Sequence, residues 1–123
     1  MKIEGVEMKL LMYILKKNEK FNIDNETITF REIRDKLTEE FTELVKAIVN
    51  YSYDKTLKNL KAVVREAFDV IQVCILILRK CHTISKDLDY PDLIKEINLE
   101  HKDKLLIEKN WIAETSIEID IKE

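Results

Sequence analysis

The sequence is short of the residues that make turns. Its 123 residues include one glycine, Gly5, and one proline, Pro91. Sheet-rich and loop-rich folds need both residue types at their many turns, so this scarcity favours a few long helices. It also excludes a glycine-rich phosphate-binding loop, which needs several glycines. We therefore predict an all-α fold, a bundle of about four helices that forms one domain over residues 1–123.

Long apolar runs and an excess of positive charge are also missing. The longest apolar stretch, Val73–Leu78, is much shorter than the ~20 residues that cross a bilayer. The net charge is −3, so the chain has no excess of basic residues of the kind that nucleic-acid-binding proteins carry. Two cysteines, Cys74 and Cys81, do not suggest a disulfide scaffold. We expect a soluble, cytoplasmic protein without a signal peptide and without nucleic-acid or membrane partners.

Apolar residues recur at helical spacing in four segments. We predict helices over residues 6–18, 30–51, 57–80 and 91–109. The third segment is apolar around nearly its whole circumference, which is typical of a central helix covered on several sides.

The ends of the second and fourth segments carry more specific signals. Thr29-Phe30-Arg31-Glu32 fits a capping box, with Thr29 as the N-cap and Glu32 reaching back to it. Pro91 suits the first turn of the fourth helix. The tail 116–121 alternates isoleucine with polar residues, which favours a short strand or an extended arm.

Two groups of carboxylates lie inside the second and third helical patterns: Glu39, Glu40 and Glu43, then Glu66 and Asp69. Residues three and four apart share a helix face, so Glu40 and Glu43 converge on one side, as do Glu66 and Asp69. If the helices pack antiparallel, these four carboxylates face one another. Such an all-oxygen, strongly anionic set suits Mg²⁺ or Mn²⁺.

Each group alone has a simpler interpretation. Glutamates are common on solvated helix surfaces. Either Glu66 or Asp69 could pair with Arg65, Lys61 or a partner helix. However, aspartate is a poor residue for the middle of a helix, and the third segment is otherwise apolar. The two groups together therefore favour a metal site.

The pattern Glu39-Glu40-x-x-Glu43 followed by Glu66-x-x-Asp69 resembles the motif of the MazG-like all-α nucleoside triphosphate pyrophosphohydrolases. The apolar frame is similar, with Lys36-Leu37 before the first block and Val70-Ile71 after the second. A further segment, His101-Lys102-Asp103-Lys104-Leu105 and then Lys109-Asn110-Trp111, resembles one that follows the core of these proteins. Lys109 and Asn110 stand there where arginine and glycine are expected. The resemblance covers about residues 30–111.

This resemblance implies hydrolysis of a nucleoside triphosphate to a monophosphate and pyrophosphate, with Mg²⁺ as cofactor and Mn²⁺ as a possible substitute. The implied metal ligands are Glu40, Glu43, Glu66 and Asp69. Glu39 would orient or deprotonate the attacking water.

The resemblance also implies a substrate-binding set and an assembly. The candidates that would contact the nucleotide are Lys36, His101, Lys104, Lys109 and Trp111. Members of the family assemble as homodimers or homotetramers with sites at subunit contacts, so we expect one of these assemblies here.

Two other classes of function stay open. The chain could be a non-catalytic helical protein that serves in binding or assembly. It could also be a small DNA-binding regulator, since Phe30-Arg31-Glu32-Ile33 could open a helix-turn-helix. The acidic balance and the missing basic recognition helix argue against the regulator.

Overall fold

The computed structural model describes residues 8–122, and over that range the chain is mostly helical. The described helices are α1 (Phe30–Tyr53), α2 (Leu57–Asp87) and α3 (Leu93–Asp103), and α3 continues into a π-helical turn, Lys104–Glu108. Two short strands, β1 (Lys17–Asn18) and β2 (Ile23–Asp24), form an antiparallel hairpin. The predicted all-α class is confirmed, with three described helices instead of about four. None of them has the length and hydrophobicity that crossing a bilayer requires.

The described residues fall into two compact units that divide between Lys80 and Cys81. The first unit contains the hairpin, α1 and most of α2. The second contains the end of α2, α3, the π-helical turn and the tail. The assignment of one domain to residues 1–123 stays a prediction.

The capping box predicted for α1 is present. The Glu32 backbone N–H donates to Thr29 Oγ1 at 3.1 Å, and the Thr29 backbone N–H donates to Glu32 Oε1 at 3.3 Å. Two of the backbone donors that a helix start leaves without intrahelical partners are thereby satisfied. Local sequence therefore fixes where α1 begins, and with it the position of every carboxylate that follows on that helix.

Within the first unit, α1 lies antiparallel to α2. The Lys80 ammonium lies 5.3 Å from the centre of the Phe30 ring. Further along α1, Glu40 lies beside Asp69. As the residue number rises along α1, the number of its neighbour on α2 falls. This is the antiparallel packing on which the meeting of the carboxylates depends.

The core of the first unit is small. Its buried cluster consists of Ile28, Ile33 and Val73, with Leu37, Leu76 and Ile77 packed against it, and Ala47 is buried outside that cluster. By contrast, Val64 is 49% exposed and Ile71 is 46% exposed. Both residues lie on α2, the third predicted segment. The prediction that α2 is covered on several sides is therefore wrong for the single chain, because α1 covers only part of its apolar circumference.

The helix predicted over residues 6–18 is wrong where the structure describes it; positions 6 and 7 lie outside the described residues. Residues 8–16 form no helix, and Lys17–Asn18 is strand β1. The Phe21 N–H donates to Asn18 Oδ1 at 3.2 Å, and Asn22 has a φ of 53°. These turn-forming asparagines favour a hairpin. The apolar side chains that have helical spacing in this segment do not form a buried face; Leu11, for example, is 75% exposed.

The helical segment of the second unit ends just before Asn110, the position where the MazG-like pattern that the sequence resembles would have glycine. Asn110 has a φ of 58°, and the Trp111 N–H donates to the Leu105 carbonyl at 3.0 Å. Helices often end this way with glycine in the left-handed conformation, and asparagine is the usual substitute. Asn110 thus adopts the backbone conformation that favours the glycine expected there.

The described tail contains no strand. Ile117 and Ile119 are both exposed there. The single chain therefore shows the extended form, and a strand that pairs with a second copy stays a prediction.

Candidate metal centre

Three of the four predicted metal ligands come together in the first unit. Glu40 on α1 and Glu66 and Asp69 on α2 each place a carboxylate oxygen within 4.8 Å of the other two. Glu40 and Glu66 are half-buried, whereas Asp69 is exposed. Glu66 and Asp69 share a face because they are three residues apart, and antiparallel packing brings Glu40 to that face. We call these three residues the carboxylate cluster.

Glu43, the fourth predicted ligand, does not belong to the cluster found among the described residues. Its side chain is 49% exposed, and Glu43 Oε1 lies 3.8 Å from the Lys46 ammonium. Glu43 lies about one turn beyond Glu40 on α1. The i, i+3 spacing therefore put both side chains on one general side of the helix, but it did not bring both to Asp69.

The three carboxylates of the carboxylate cluster repel one another when they are ionised. Burial, followed by the charge of Asp69, raises the pKa of the Glu40 carboxyl above its ordinary value, and the nearby Lys36 charge lowers it by less. In the described part of the chain, neither Lys61 nor Arg65 forms an ion pair with the cluster. A bound cation would relieve this repulsion.

The donor set fits a hard divalent cation. All three donors are carboxylate oxygens, which suit Mg²⁺ and Mn²⁺ better than softer metals. Two oxygens on opposite sides of Mg²⁺ lie about 4.2 Å apart. At most one pair among three ligands can lie opposite, and neighbouring ligands lie about 3 Å apart, so the oxygens of the carboxylate cluster, now within 4.8 Å of one another, must move closer to hold the ion.

A cleft of about 940 Å³ lies beside the carboxylate cluster in the first unit. Glu40 and Asp69 line it together with Glu39 and Lys36. Its volume falls in the range of roughly 300–1,000 Å³ that is typical of small-molecule sites. Glu39 is exposed, so a carboxylate that water can reach stands next to the carboxylate cluster.

The part of the chain before α1 forms much of the remaining lining of the cleft, and sequence reasoning missed it. Ile14 and Leu15 contribute apolar side chains, and Asn18, Asn22 and Ile23 come from the hairpin. The three asparagines at 18, 22 and 25, with Asp24 among them, are a composition typical of turns and could have indicated the hairpin.

Gln72 is a second residue that sequence reasoning missed. Its Nε2 donates to the Tyr13 carbonyl at 2.8 Å, which joins α2 to the segment before the hairpin. Gln72 also lines the cleft. It follows Asp69 by three residues, so the spacing that selected Glu66 and Asp69 also placed Gln72 on that face.

Four of the predicted substrate-binding residues belong to the second unit. His101 lies on α3, Lys104 begins the π-helical turn, and Lys109 and Trp111 follow it. All four are exposed. Their contacts with a nucleotide stay predictions, whereas Lys36 lies in the cleft itself.

Comparison with protein-family models, with curated proteins and with solved structures finds no match for this chain. The similarity to the MazG-like family therefore stays a prediction made from the acidic motif. The support for a function comes from the carboxylate cluster and the cleft beside it.

Proposed function

We propose that this protein is a MazG-like, Mg²⁺-dependent nucleoside triphosphate pyrophosphohydrolase that removes unwanted nucleotides in the cytoplasm. One observation carries the proposal: three carboxylates from two antiparallel helices meet beside a cleft of about 940 Å³. A hydrolase of this kind needs a cation site next to a space that accepts a nucleotide, and the carboxylate cluster and the cleft lying side by side support that assignment.

The residues of the first unit have different roles in the proposed reaction. Glu40, Glu66 and Asp69 would hold the cation. When bound, Mg²⁺ neutralises negative charge on phosphate oxygens and lowers the pKa of bound water. Glu39 orients a water molecule and accepts its proton as the water oxygen attacks the α-phosphorus, and pyrophosphate leaves. Lys36 binds a phosphate oxygen through a charge-assisted hydrogen bond.

The apolar surface of the first unit supports a homodimer or homotetramer. Phe41, Val45 and Ile48 follow one face of α1 and are all exposed in the single chain. On α2, Val64 and Ile71 are also exposed at helical spacing. Contiguous apolar surface of this kind marks interaction sites, so a second copy would complete the coverage that one chain leaves partial.

The proposal is tested by measuring pyrophosphate release from a panel of ribonucleoside and deoxyribonucleoside triphosphates with Mg²⁺. We expect hydrolysis of at least one of them, and its loss on addition of a chelator. Glu40→Gln and Asp69→Asn should each lower kcat/KM by at least about 100-fold, since changes even in outer-shell partners of a metal cost roughly 10- to 100-fold. Glu100→Gln, an equivalent change at an exposed site on α3, is the matched control and should leave the rate unchanged.

Glu43→Gln in the same assay decides between a three-carboxylate and a four-carboxylate site. Because Glu43 lies near Lys46 and outside the carboxylate cluster, we expect a much smaller loss than Glu40→Gln produces. An equal loss would mean that Glu43 joins the ligands when the cation binds.

The exposed apolar faces also favour a second candidate, a non-catalytic helical binding or assembly protein. The two candidates predict opposite results in the pyrophosphate assay. If wild type released no pyrophosphate from any triphosphate, and Glu40→Gln and Asp69→Asn behaved like wild type, the non-catalytic protein would be the correct assignment.

A further inference from the structure

We infer that the β1–β2 hairpin, with the segment before it, is the wall of the cleft that contacts the nucleobase and selects among bases. This inference rests on the proposed function and adds to it the element that sets substrate preference. The observations that carry it are the anchoring of this segment, the chemistry it presents to the cleft, and its origin in a different part of the chain from the carboxylate cluster.

The segment is held in place at several points. The Gln72 side chain donates to the Tyr13 carbonyl at 2.8 Å. The Asn25 backbone N–H donates to the Lys16 carbonyl at 2.8 Å, and Asn25 Nδ2 donates to the Leu15 carbonyl at 3.1 Å. After the hairpin, Ile28 packs into the core. A wall fixed at both ends can hold a recognition group in position.

The hairpin side of the cleft combines apolar surface, an available amide and two charged residues, Lys17 and Asp24. Both charged side chains already have partners: Lys17 Nζ lies 3.4 Å from Glu19 Oε1, and Asp24 Oδ1 accepts from the Glu26 N–H at 2.9 Å.

Ile14, Leu15 and Ile23 line this side of the cleft and can pack against the flat face of a base. Asn22 also lines it, and no hydrogen-bond partner reaches its side chain within the described residues. An amide offers one donor group and one acceptor, which can read the polar edge of a base.

The carboxylates determine which end of the nucleotide would lie at the hairpin. Glu39, Glu40 and Asp69 line the part of the cleft formed by α1 and α2, where phosphates are tolerated only beside a cation. With the triphosphate held there, the uncharged base is the part of the ligand that matches the isoleucines, the leucine and the amide. The substrate therefore spans the cleft from the carboxylate cluster to the hairpin.

Asn22 allows a substitution that removes the amide and preserves the turn. Its φ of 53° lies in the left-handed region, which glycine adopts without strain. Asn22→Gly therefore deletes the recognition group alone. Asn22→Asp keeps an acceptor and loses the donor, and aspartate also tolerates this conformation. Lys20→Ala is the control, since Lys20 lies in the same turn but outside the lining of the cleft.

The experiment measures kcat and KM for each triphosphate, together with inhibition by inorganic tripolyphosphate, which has no base. We expect Asn22→Gly to lower kcat/KM for the preferred base by about five- to tenfold, the effect of one or two neutral hydrogen bonds. Inhibition by tripolyphosphate and the Mg²⁺ dependence should not change. Asn22→Asp should shift preference from bases that present a carbonyl to bases that present an amino group. Lys20→Ala should match wild type throughout.

The outcomes separate this inference from the proposed function. If wild type hydrolyses triphosphates but Asn22→Gly and Asn22→Asp keep the same ratios of kcat/KM between bases, the hairpin does not select the base and only this inference fails. If all triphosphates lose kcat/KM equally and tripolyphosphate inhibition weakens with them, Asn22 acts on the phosphates and the inference is wrong. If wild type hydrolyses nothing, both fail.

Discussion

At the scale of single residues, Glu40 is where burial and charge act together. Its carboxyl is half-buried, and the charge of Asp69 stands beside it. Both effects disfavour the ionised form, whereas the charge of Lys36 favours it less strongly. Without a cation, Glu40 is therefore a residue whose ionisation opposes folding.

This leads to a prediction for the metal-free protein. A carboxyl whose pKa is higher in the folded than in the unfolded state stabilises the fold at low pH, and that contribution is lost as the pH rises above the ordinary value of 4.5. Glu40→Gln is uncharged at every pH. We expect it to be more stable than wild type at pH 7, by less than about 1 kcal/mol because water still reaches and screens this partly exposed carboxylate, and no more stable at pH 4.

Urea unfolding with a chelator present, followed at both pH values by circular dichroism, measures this difference. Glu100→Gln is again the control and should match wild type. Added Mg²⁺ should reverse the order at pH 7, because a cation that binds the folded state stabilises wild type more than the variant. If the variant were less stable than wild type in the presence of the chelator, the conclusion that ionisation of Glu40 opposes folding would be wrong.

At this scale the sequence predicted which carboxylates come together. Spacing alone selected Glu40, Glu66 and Asp69, because residues three apart share a face and the two helices lie antiparallel. It also selected Glu43, which contacts Lys46 instead. Spacing fixes the side of a helix, but the contacts of each side chain depend on the neighbouring helix, which the pattern does not describe.

At the scale of elements, the sequence predicted those that have strong local signals. The capping box at Thr29 and Glu32 placed the start of α1 correctly. The hairpin was missed because its strands have only two residues each, too few to show alternation. The apolar residues before it happened to have helical spacing. Periodicity indicates which residues would share a face if the segment were helical. Such a helix is stable in a protein mainly when that face packs against another surface.

The capping box gives a prediction for α1. Thr29→Ala removes the oxygen that accepts the Glu32 N–H and should lower the free energy of unfolding by about 1 kcal/mol. Thr38→Ala makes the same change in the middle of α1, where Thr38 Oγ1 donates to the Arg34 carbonyl. There we expect no loss, since alanine has the higher helix propensity. Urea unfolding of both variants checks this, and equal losses would show that the cap does not stabilise α1.

At the scale of the whole molecule, the amount of exposed apolar surface is the main feature that one chain does not explain. The buried apolar residues of the described chain number four: Ile28, Ile33, Ala47 and Val73. Hydrophobic side chains at helical spacing predicted the helices, but composition could not show that one chain leaves so many of them uncovered. The predicted homodimer or homotetramer would cover them, and this can be tested on the apolar faces of α1 and α2.

We expect wild type to sediment as a dimer or tetramer of its 14.6 kDa chain at micromolar concentration. Phe41→Glu and Ile71→Glu should each shift it towards the monomer, because Phe41 is 59% and Ile71 46% exposed in the single chain and a charge there is costly only when a second copy covers it. Tyr53→Glu, at a side chain that is 90% exposed, is the control and should leave the assembly intact. Retained helical circular dichroism in the monomeric variants would show that the charge breaks the assembly rather than the fold. A wild-type monomer would leave the exposed faces of α1 and α2 unexplained and remove the support they give to an oligomeric hydrolase.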